Sequence, residues 1–120
     1  LHLQRYARAR DMIAGGVAVA LATDFNPGSC MTESLPLILN LACKQLRMLP
    51  AEAITAATVN AAWAIGEQDY VGSLEVGKQA DVLILDAQNH EYLCYHFGVN
   101  LVDTVIKNGK IVVEGGQRLV

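Results

Sequence analysis

The hydrophobic pattern along the chain changes its period, and each change marks a predicted element. In residues 2–14, apolar side chains recur at helical spacing with charged residues between them, and Gly15 and Gly16 end the predicted helix. Residues 17–23 are then almost continuously apolar, which is typical of a strand buried on both faces of a parallel sheet. A helix followed at once by such a strand predicts an α/β fold.

Two more helices are predicted in the middle of the chain. Residues 34–48 carry leucine, isoleucine and alanine at spacings of three and four, and Pro36 fits only in the first turn of that helix. Pro50 opens the next helix, which the pattern continues as far as Gly66. The many alanines of this third helix predict close packing against its neighbours.

The second half of the chain changes to the pattern of short strands. Residues 80–86 predict one strand, and residues 88–98 are either irregular or a short helix. Asn108 and Gly109 lie between two further β runs, and Asn-Gly in this position predicts a hairpin closed by a type I′ turn.

Composition and charge narrow the function classes. The chain has 120 residues, a formal net charge of -3 and no basic stripe, which argues against nucleic acid as a partner. No apolar stretch approaches the roughly 18 residues of a membrane span, and no signal peptide opens the sequence. Three scattered cysteines, Cys30, Cys43 and Cys94, predict no disulfide framework and favour a cytoplasmic protein.

The apolar content suggests a part of a larger protein. Hydrophobic residues make up 52% of the chain and its mean hydropathy is +0.28, although a small domain has much surface to cover with polar groups. The patterns predict two parts, residues 1–68 with the helices and the buried strand, and residues 69–120 with a small β segment.

The candidate chemistry lies where the predicted strand ends. Asp24 follows the strand directly, and catalytic groups of barrel enzymes lie at this end of their strands. Asn26-Pro27-Gly28-Ser29 comes next and predicts a type II turn, whose Gly28 and Ser29 amides are available to an anion or a carbonyl. From position alone, Asp24 is either a metal ligand or an acid that caps the turn amides.

Several stretches resemble the imidazolonepropionase family of metal-dependent amidohydrolases. The similarity covers essentially the whole chain and is carried by residues 22–29, 39–43, 58–62, 72–81 and 95–100. The stretch Gly-Ser-Leu-Glu-Val-Gly-Lys-Gln-Ala-Asp is shared widely among amidohydrolases. Asp-Phe-Asn-Pro-Gly and Tyr-His-Phe-Gly-Val-Asn are much narrower signals.

The resemblance implies a fold and a set of site residues. The fold is the C-terminal portion of a (β/α)8 amidohydrolase barrel, with strands of a small β-sandwich that both chain ends build. Asp24 is implied to bind one zinc or iron ion and to accept a proton from the water that the metal activates. Asn26, Gly28 and Ser29 are implied to contact substrate or product; turn formation alone is the other interpretation of these three residues.

The implied reaction belongs to histidine degradation. In this family a metal-activated hydroxide attacks the ring carbonyl of 4-imidazolone-5-propanoate, and the ring C–N bond opens to give N-formimidoyl-L-glutamate. Catalytic zinc sites use about three protein ligands. Because His2, His90 and His96 have no ligand spacing, the other ligands are expected in an N-terminal barrel portion outside this chain, which is expected to be inactive by itself.

Two other interpretations remain open at the level of sequence. One is another metal-dependent cyclic amidohydrolase or a deaminase, and the other is a non-catalytic structural or assembly piece. A His-x-His pair upstream would decide for the enzyme. The expected partners are a small-molecule substrate, the N-terminal barrel portion and a second copy in a homodimer, with no nucleic acid and no membrane.

Overall fold

Five helices and four strands occur in residues 5–119, which are the residues that the computed structural model describes. The helices are α1 (Ala9–Ala14), α2 (Leu35–Gln45), α3 (Pro50–Ala57), α4 (Val59–Ala64) and α5 (His90–Tyr95). The strands are β1 (Val82–Leu85), β2 (Val102–Lys107), β3 (Lys110–Glu114) and β4 (Gln117–Arg118). None of these helices combines the length and the apolar character that crossing a membrane requires.

Helix α1 is shorter than the pattern predicts. The prediction began at residue 2, but residues 5–8 are not helical and the helix starts at Ala9; residues 2–4 lie outside the described part. Residues 5–8 are exposed, so no packed apolar face stabilises a helix there, and short helices are marginal without such packing. The predicted end is confirmed, because Gly15 caps the helix and Gly16 has a φ of 81°.

Helix α2 follows the sequence prediction closely. Ser34 is its N-cap and accepts a hydrogen bond from the Leu37 amide at 3.4 Å, and Pro36 lies in the first turn as predicted. Leu39 and Ala42 lie on the apolar face and are buried.

The predicted third helix is two helices with a break at Thr58. Thr58 has φ -121° and ψ -87°, which is outside helical geometry, and it separates α3 from α4. Its hydroxyl donates to the Ile54 carbonyl at 2.7 Å. The prediction of one continuous helix to Gly66 is therefore wrong, although the predicted close packing of alanines is confirmed by Ala53 and Ala56, which are fully buried.

The core lies where α1, α2, α3 and α5 pack together. Its buried residues are Ala9, Leu39, Ala42, Met48, Ala53, Ala56 and Cys94. The side-chain amide of Asn40 in α2 donates a hydrogen bond to the Cys94 carbonyl at 2.5 Å. This bond fixes α5, from the second half of the chain, to α2 in the first half. Arg10 of α1 and Glu52 of α3 form a bidentate ion pair at 2.8 and 2.9 Å, and the Arg10 hydrogen bond lowers the pKa of Glu52.

None of the three cysteines takes part in a disulfide within residues 5–119. Cys30, Cys43 and Cys94 are all free. Burial raises the pKa of the Cys94 thiol to about 12, with a smaller effect from the neighbouring Cys43 thiol, so Cys94 is an uncharged core side chain.

The four strands form one antiparallel sheet in the order β1-β2-β3-β4. The predicted strand over residues 80–86 is confirmed as β1, and residues 88–98 contain the short helix α5. The β2–β3 turn is confirmed, because Asn108 and Gly109 have φ values of 51° and 74°, as a type I′ turn requires. A second hairpin was not predicted; Gly115 and Gly116 join β3 to β4, and this Gly-Gly pair was its sequence signal.

Replacing Gly109 with valine is expected to destabilise the folded protein by at least about 1 kcal/mol, because a β-branched residue is penalised at positive φ. A Cβ at this position would meet only the Ala80 Cβ, at 4.0 Å, so the penalty comes from the backbone and not from a clash. Denaturant unfolding measures the effect, and Lys110→Val, which adds valine to the adjacent strand position, is the control. Equal stability of the two variants would contradict the assignment of the turn.

Candidate active site

The segment before Asp24 is extended but is not a strand. Residues 17–23 have no ladder partner within residues 5–119, and Val17 is 55% exposed. The prediction of a strand buried on both faces is therefore wrong for this chain, since a strand needs a neighbouring strand for its backbone hydrogen bonds. The only sheet of the described residues is the antiparallel one formed by β1 to β4.

Helices α3 and α4 hold this extended segment through two hydrogen bonds. The Leu21 amide donates to the Ala56 carbonyl at 3.0 Å, and the Asn60 side-chain amide donates to the Val19 carbonyl at 2.8 Å. The Asn60 side chain therefore bonds to backbone of this segment.

Asp24 lies at the end of this segment and is exposed. Its φ of 52° is in the left-handed region, which Asp and Asn tolerate better than most residues. The backbone on either side is fixed, because Cys30 Sγ donates to the Thr23 carbonyl at 3.0 Å and Asn26 Nδ2 donates to the Asp24 carbonyl at 2.6 Å.

The turn after Asp24 differs from the predicted type II turn. Gly28 does not have the positive φ that a type II turn requires. Instead, Asn26 and Cys30 pair as an antiparallel bridge, with amide-to-carbonyl distances of 2.7 and 3.3 Å, and residues 27–29 form the loop between them.

The Asn26 carboxamide is the centre of this loop. Its Oδ1 accepts hydrogen bonds from the Gly28 amide at 2.9 Å, the Ser29 amide at 2.8 Å and the Ser29 hydroxyl at 3.2 Å. The amides that were expected to be available are therefore occupied, and Asn26, rather than the Asp24 carboxylate, caps them. The Asn at the start of Asn26-Pro27-Gly28-Ser29 is the sequence signal of such a side-chain turn, which the type II prediction did not include.

One candidate metal ligand is found at this place. Within residues 5–119, His, Cys, Asp and Glu side chains form no group of three or more that could hold a metal ion. The exposed Asp24 carboxylate fits the role of a single ligand, whereas the His96 ring lies against Tyr92 with ring centroids 5.0 Å apart. His2 lies outside the described residues.

Comparison with known proteins identifies the family. The amidohydrolase family model matches residues 4–112. The chain is 59% identical over 113 residues to the imidazolonepropionase of Alkaliphilus oremlandii (strain OhILAs), covering 94% of this chain and 27% of that protein. It is 58% identical over 113 residues to the imidazolonepropionase of Shouchella clausii (strain KSM-K16), covering 94% and 25%. The chain thus spans about a quarter of the length of these curated relatives.

A solved structure with the same fold carries a metal. A mutant of atrazine chlorohydrolase from Arthrobacter aurescens TC1, complexed with zinc and atraton, matches with a TM-score of 0.80 over 97% of this chain and 29% of that chain. The two sequences are 22% identical, so this likeness shows the fold alone. With the family model matching most of its length, the chain belongs to the amidohydrolase family.

Proposed function

We propose that this chain is the C-terminal part of an imidazolonepropionase, which hydrolyses 4-imidazolone-5-propanoate to N-formimidoyl-L-glutamate. The observation that carries the proposal is the 59% identity to a curated imidazolonepropionase over 94% of the chain. The proposed reaction adds one water to a cyclic amide and opens the ring C–N bond.

The proposed architecture assigns residues 1–68 to the end of a (β/α)8 barrel and residues 69–120 to a composite β-sandwich. In the complete barrel, residues 17–23 gain neighbouring strands and become the strand that precedes Asp24. The exposure of this apolar segment supports the assignment, because a barrel strand is covered on both faces.

Asp24 is proposed to bind the metal and to act in proton transfer. The metal, zinc or iron, would activate water for attack on the ring carbonyl and polarise that carbonyl. The Asp24 carboxylate would hold the ion and accept the proton that the attacking water loses. The exposed position of Asp24, with its backbone fixed by Cys30 and Asn26, supports this role.

The loop of Asn26, Gly28 and Ser29 is proposed to bind the substrate. The Gly28 and Ser29 amides converge on one oxygen, Asn26 Oδ1, at 2.9 and 2.8 Å. A carbonyl or carboxylate oxygen of the substrate takes that place when the Asn26 side chain turns away. This movement also releases the Asp24 carbonyl, which Asn26 Nδ2 holds in the free loop, and the Asn26 amide then binds the substrate. Two converging amides are a typical anion-binding arrangement, which supports the assignment.

Full-length protein that carries this segment is expected to convert 4-imidazolone-5-propanoate into a product heavier by one water, as measured by mass spectrometry. Release of ammonia would indicate a deaminase instead, and no turnover with bound metal would indicate a non-catalytic piece.

Residues 1–120 by themselves are expected to lack both turnover and a tightly bound metal, because they supply one ligand. They are also expected to associate, in a homodimer or larger species, since large apolar side chains such as Trp63, Ile65 and Leu74 are 65%, 72% and 78% exposed. Metal analysis and light scattering measure both properties. A monodisperse monomer with one bound metal would contradict the proposal that the chain is part of a larger barrel.

A further inference from the structure

Helix α2 runs beside α5 and the residues that follow it, and two contacts fix their register. The Asn40 side-chain amide of α2 donates to the Cys94 carbonyl of α5 at 2.5 Å, in the buried core. One turn further along α2, the Lys44 ammonium lies 5.4 Å from the centre of the Phe97 ring, which is a cation–π distance. Residues 40–44 therefore lie alongside residues 94–97.

This register brings two thiols together. Cys43 follows Asn40 on the same face of α2, since residues three apart on a helix are neighbours. Cys94 is 5% exposed within the core, and the half-buried Cys43 packs against the same core. The Cys43 thiol is also the side-chain neighbour that hydrogen-bonds to the Cys94 thiol. The thiol of Cys30 instead donates to the Thr23 carbonyl at 3.0 Å.

The two helices are expected to keep this packing in the full-length protein. Both helices and the core between them belong to the described residues, and their contact lies away from residues 17–23, where a closed barrel adds strands. The fold of this chain also matches part of a larger amidohydrolase chain over 97% of its length. Strands added beside residues 17–23 therefore leave the contact between α2 and α5 in place.

We propose that Cys43 and Cys94 form a redox-active pair, in which a hydroperoxide oxidises the two thiols to a disulfide that joins α2 to α5. This inference goes beyond the proposed function and does not depend on it. A disulfide needs Cα atoms about 4.4 to 6.8 Å apart. The Asn40 hydrogen bond to the Cys94 backbone holds the two helices close at this place, which favours the bridge.

The oxidation takes two balanced steps with hydrogen peroxide as the oxidant. The sulfur of Cys43, the more accessible of the two, attacks a peroxide oxygen; an S–O bond forms, the O–O bond breaks, and water leaves with the thiol proton. The sulfur of Cys94 then attacks that of the sulfenic acid; the S–S bond forms, the S–O bond breaks, and the hydroxyl leaves as water with the Cys94 proton. Two thiols are thus oxidised while one peroxide is reduced to two waters, and a dithiol reductant reverses the change.

The test treats full-length protein with hydrogen peroxide, blocks the remaining thiols with N-ethylmaleimide and identifies linked tryptic peptides by mass spectrometry without reductant. Trypsin releases Cys94 in the peptide 79–107, and it releases Cys30 and Cys43 together in the peptide 11–44. Cys30→Ser is therefore the matched control, because it leaves Cys43 as the only thiol of its peptide. Cys43→Ser removes the proposed partner of Cys94, and Cys43→Ala replaces it if serine prevents folding.

The expected result is a linked pair of the peptides 11–44 and 79–107, lighter by two hydrogens than the separate peptides, in the wild type and in Cys30→Ser. Dithiothreitol separates the pair, and the Cys43 variants are expected to lose it completely. In Cys94→Ala, Cys43 is expected to stop at the sulfenic acid, which dimedone labels. Three results would overturn the inference: wild-type Cys43 that dimedone labels without forming the pair, thiols that peroxide leaves unchanged, or a linked pair that persists in the Cys43 variants.

Discussion

Replacing Asp24 with alanine is expected to lower the kcat of the full-length enzyme by roughly 10³-fold or more. The change removes the proposed metal ligand and, with it, the carboxylate proposed to accept the proton of the attacking water. Steady-state hydrolysis of 4-imidazolone-5-propanoate gives kcat, and metal analysis of the same sample gives the occupancy. Near-normal turnover with stoichiometric metal would rule out the role assigned to Asp24.

Two further variants separate the carboxylate from the backbone at this position. Asp24 has a φ of 52°, which alanine tolerates less well than asparagine does. Asp24→Asn keeps that tolerance and removes the charge. We therefore expect it to lose as much activity as Asp24→Ala while its folded state stays more stable than that of Asp24→Ala. Asp69→Ala removes an exposed carboxylate from the loop after α4 and is expected to leave kcat unchanged.

Replacing Gly72 with alanine is expected to cost about 3 kcal/mol of unfolding free energy, the largest stability effect predicted for a single methyl group in this chain. Gly72 has a φ of 93°, and a Cβ there would lie 2.6 Å from the Ala62 Cβ and 3.1 Å from the Thr58 carbonyl oxygen. Ala62 is buried and the carbonyl belongs to the break between α3 and α4, so neither neighbour moves away easily.

Gly77 provides a matched control in the same loop. Its φ is 94°, nearly identical to that of Gly72, but an added Cβ would meet no atom within 4 Å. Gly77→Ala therefore carries the backbone penalty alone, about 1 kcal/mol. Chemical denaturation of the two full-length variants is expected to differ by about 2 kcal/mol. Equal stabilities would show that the loop does not pack against α4 as described.

Elements with local signals were predictable from the sequence. Helix α2 has its capping Ser34, its early Pro36 and a regular apolar period within one stretch of chain, so the prediction differs from the structure by only a few residues. The Asn108-Gly109 turn was predictable for the same reason, because two adjacent residues set its geometry.

Elements that depend on partners far away in the sequence were not predictable in this way. The apolar pattern of residues 17–23 indicates burial, but a ladder forms only beside another strand, and within residues 5–119 the segment bonds to helices instead. The break at Thr58 interrupts a run that the sequence pattern predicts to be one helix. Just before the break, the Ala56 carbonyl accepts a hydrogen bond from the Leu21 amide, a contact that only the tertiary structure shows. The α1 prediction failed where no neighbour covers residues 5–8.

The sequence by itself determined where the candidate chemistry lies: an acid at the end of an apolar run, followed by Asn, Pro, Gly and Ser. Those residue types and their order are local properties, and they carry part of the family resemblance. Only the tertiary structure decided how the Gly28 and Ser29 amides are used, since they bond to Asn26 Oδ1, and how the segment before Asp24 is held, since Asn60 bonds to Val19. The physical reason is that a hydrogen-bonding group can choose among several partners, and the one it takes depends on which of them the fold brings within about 3 Å.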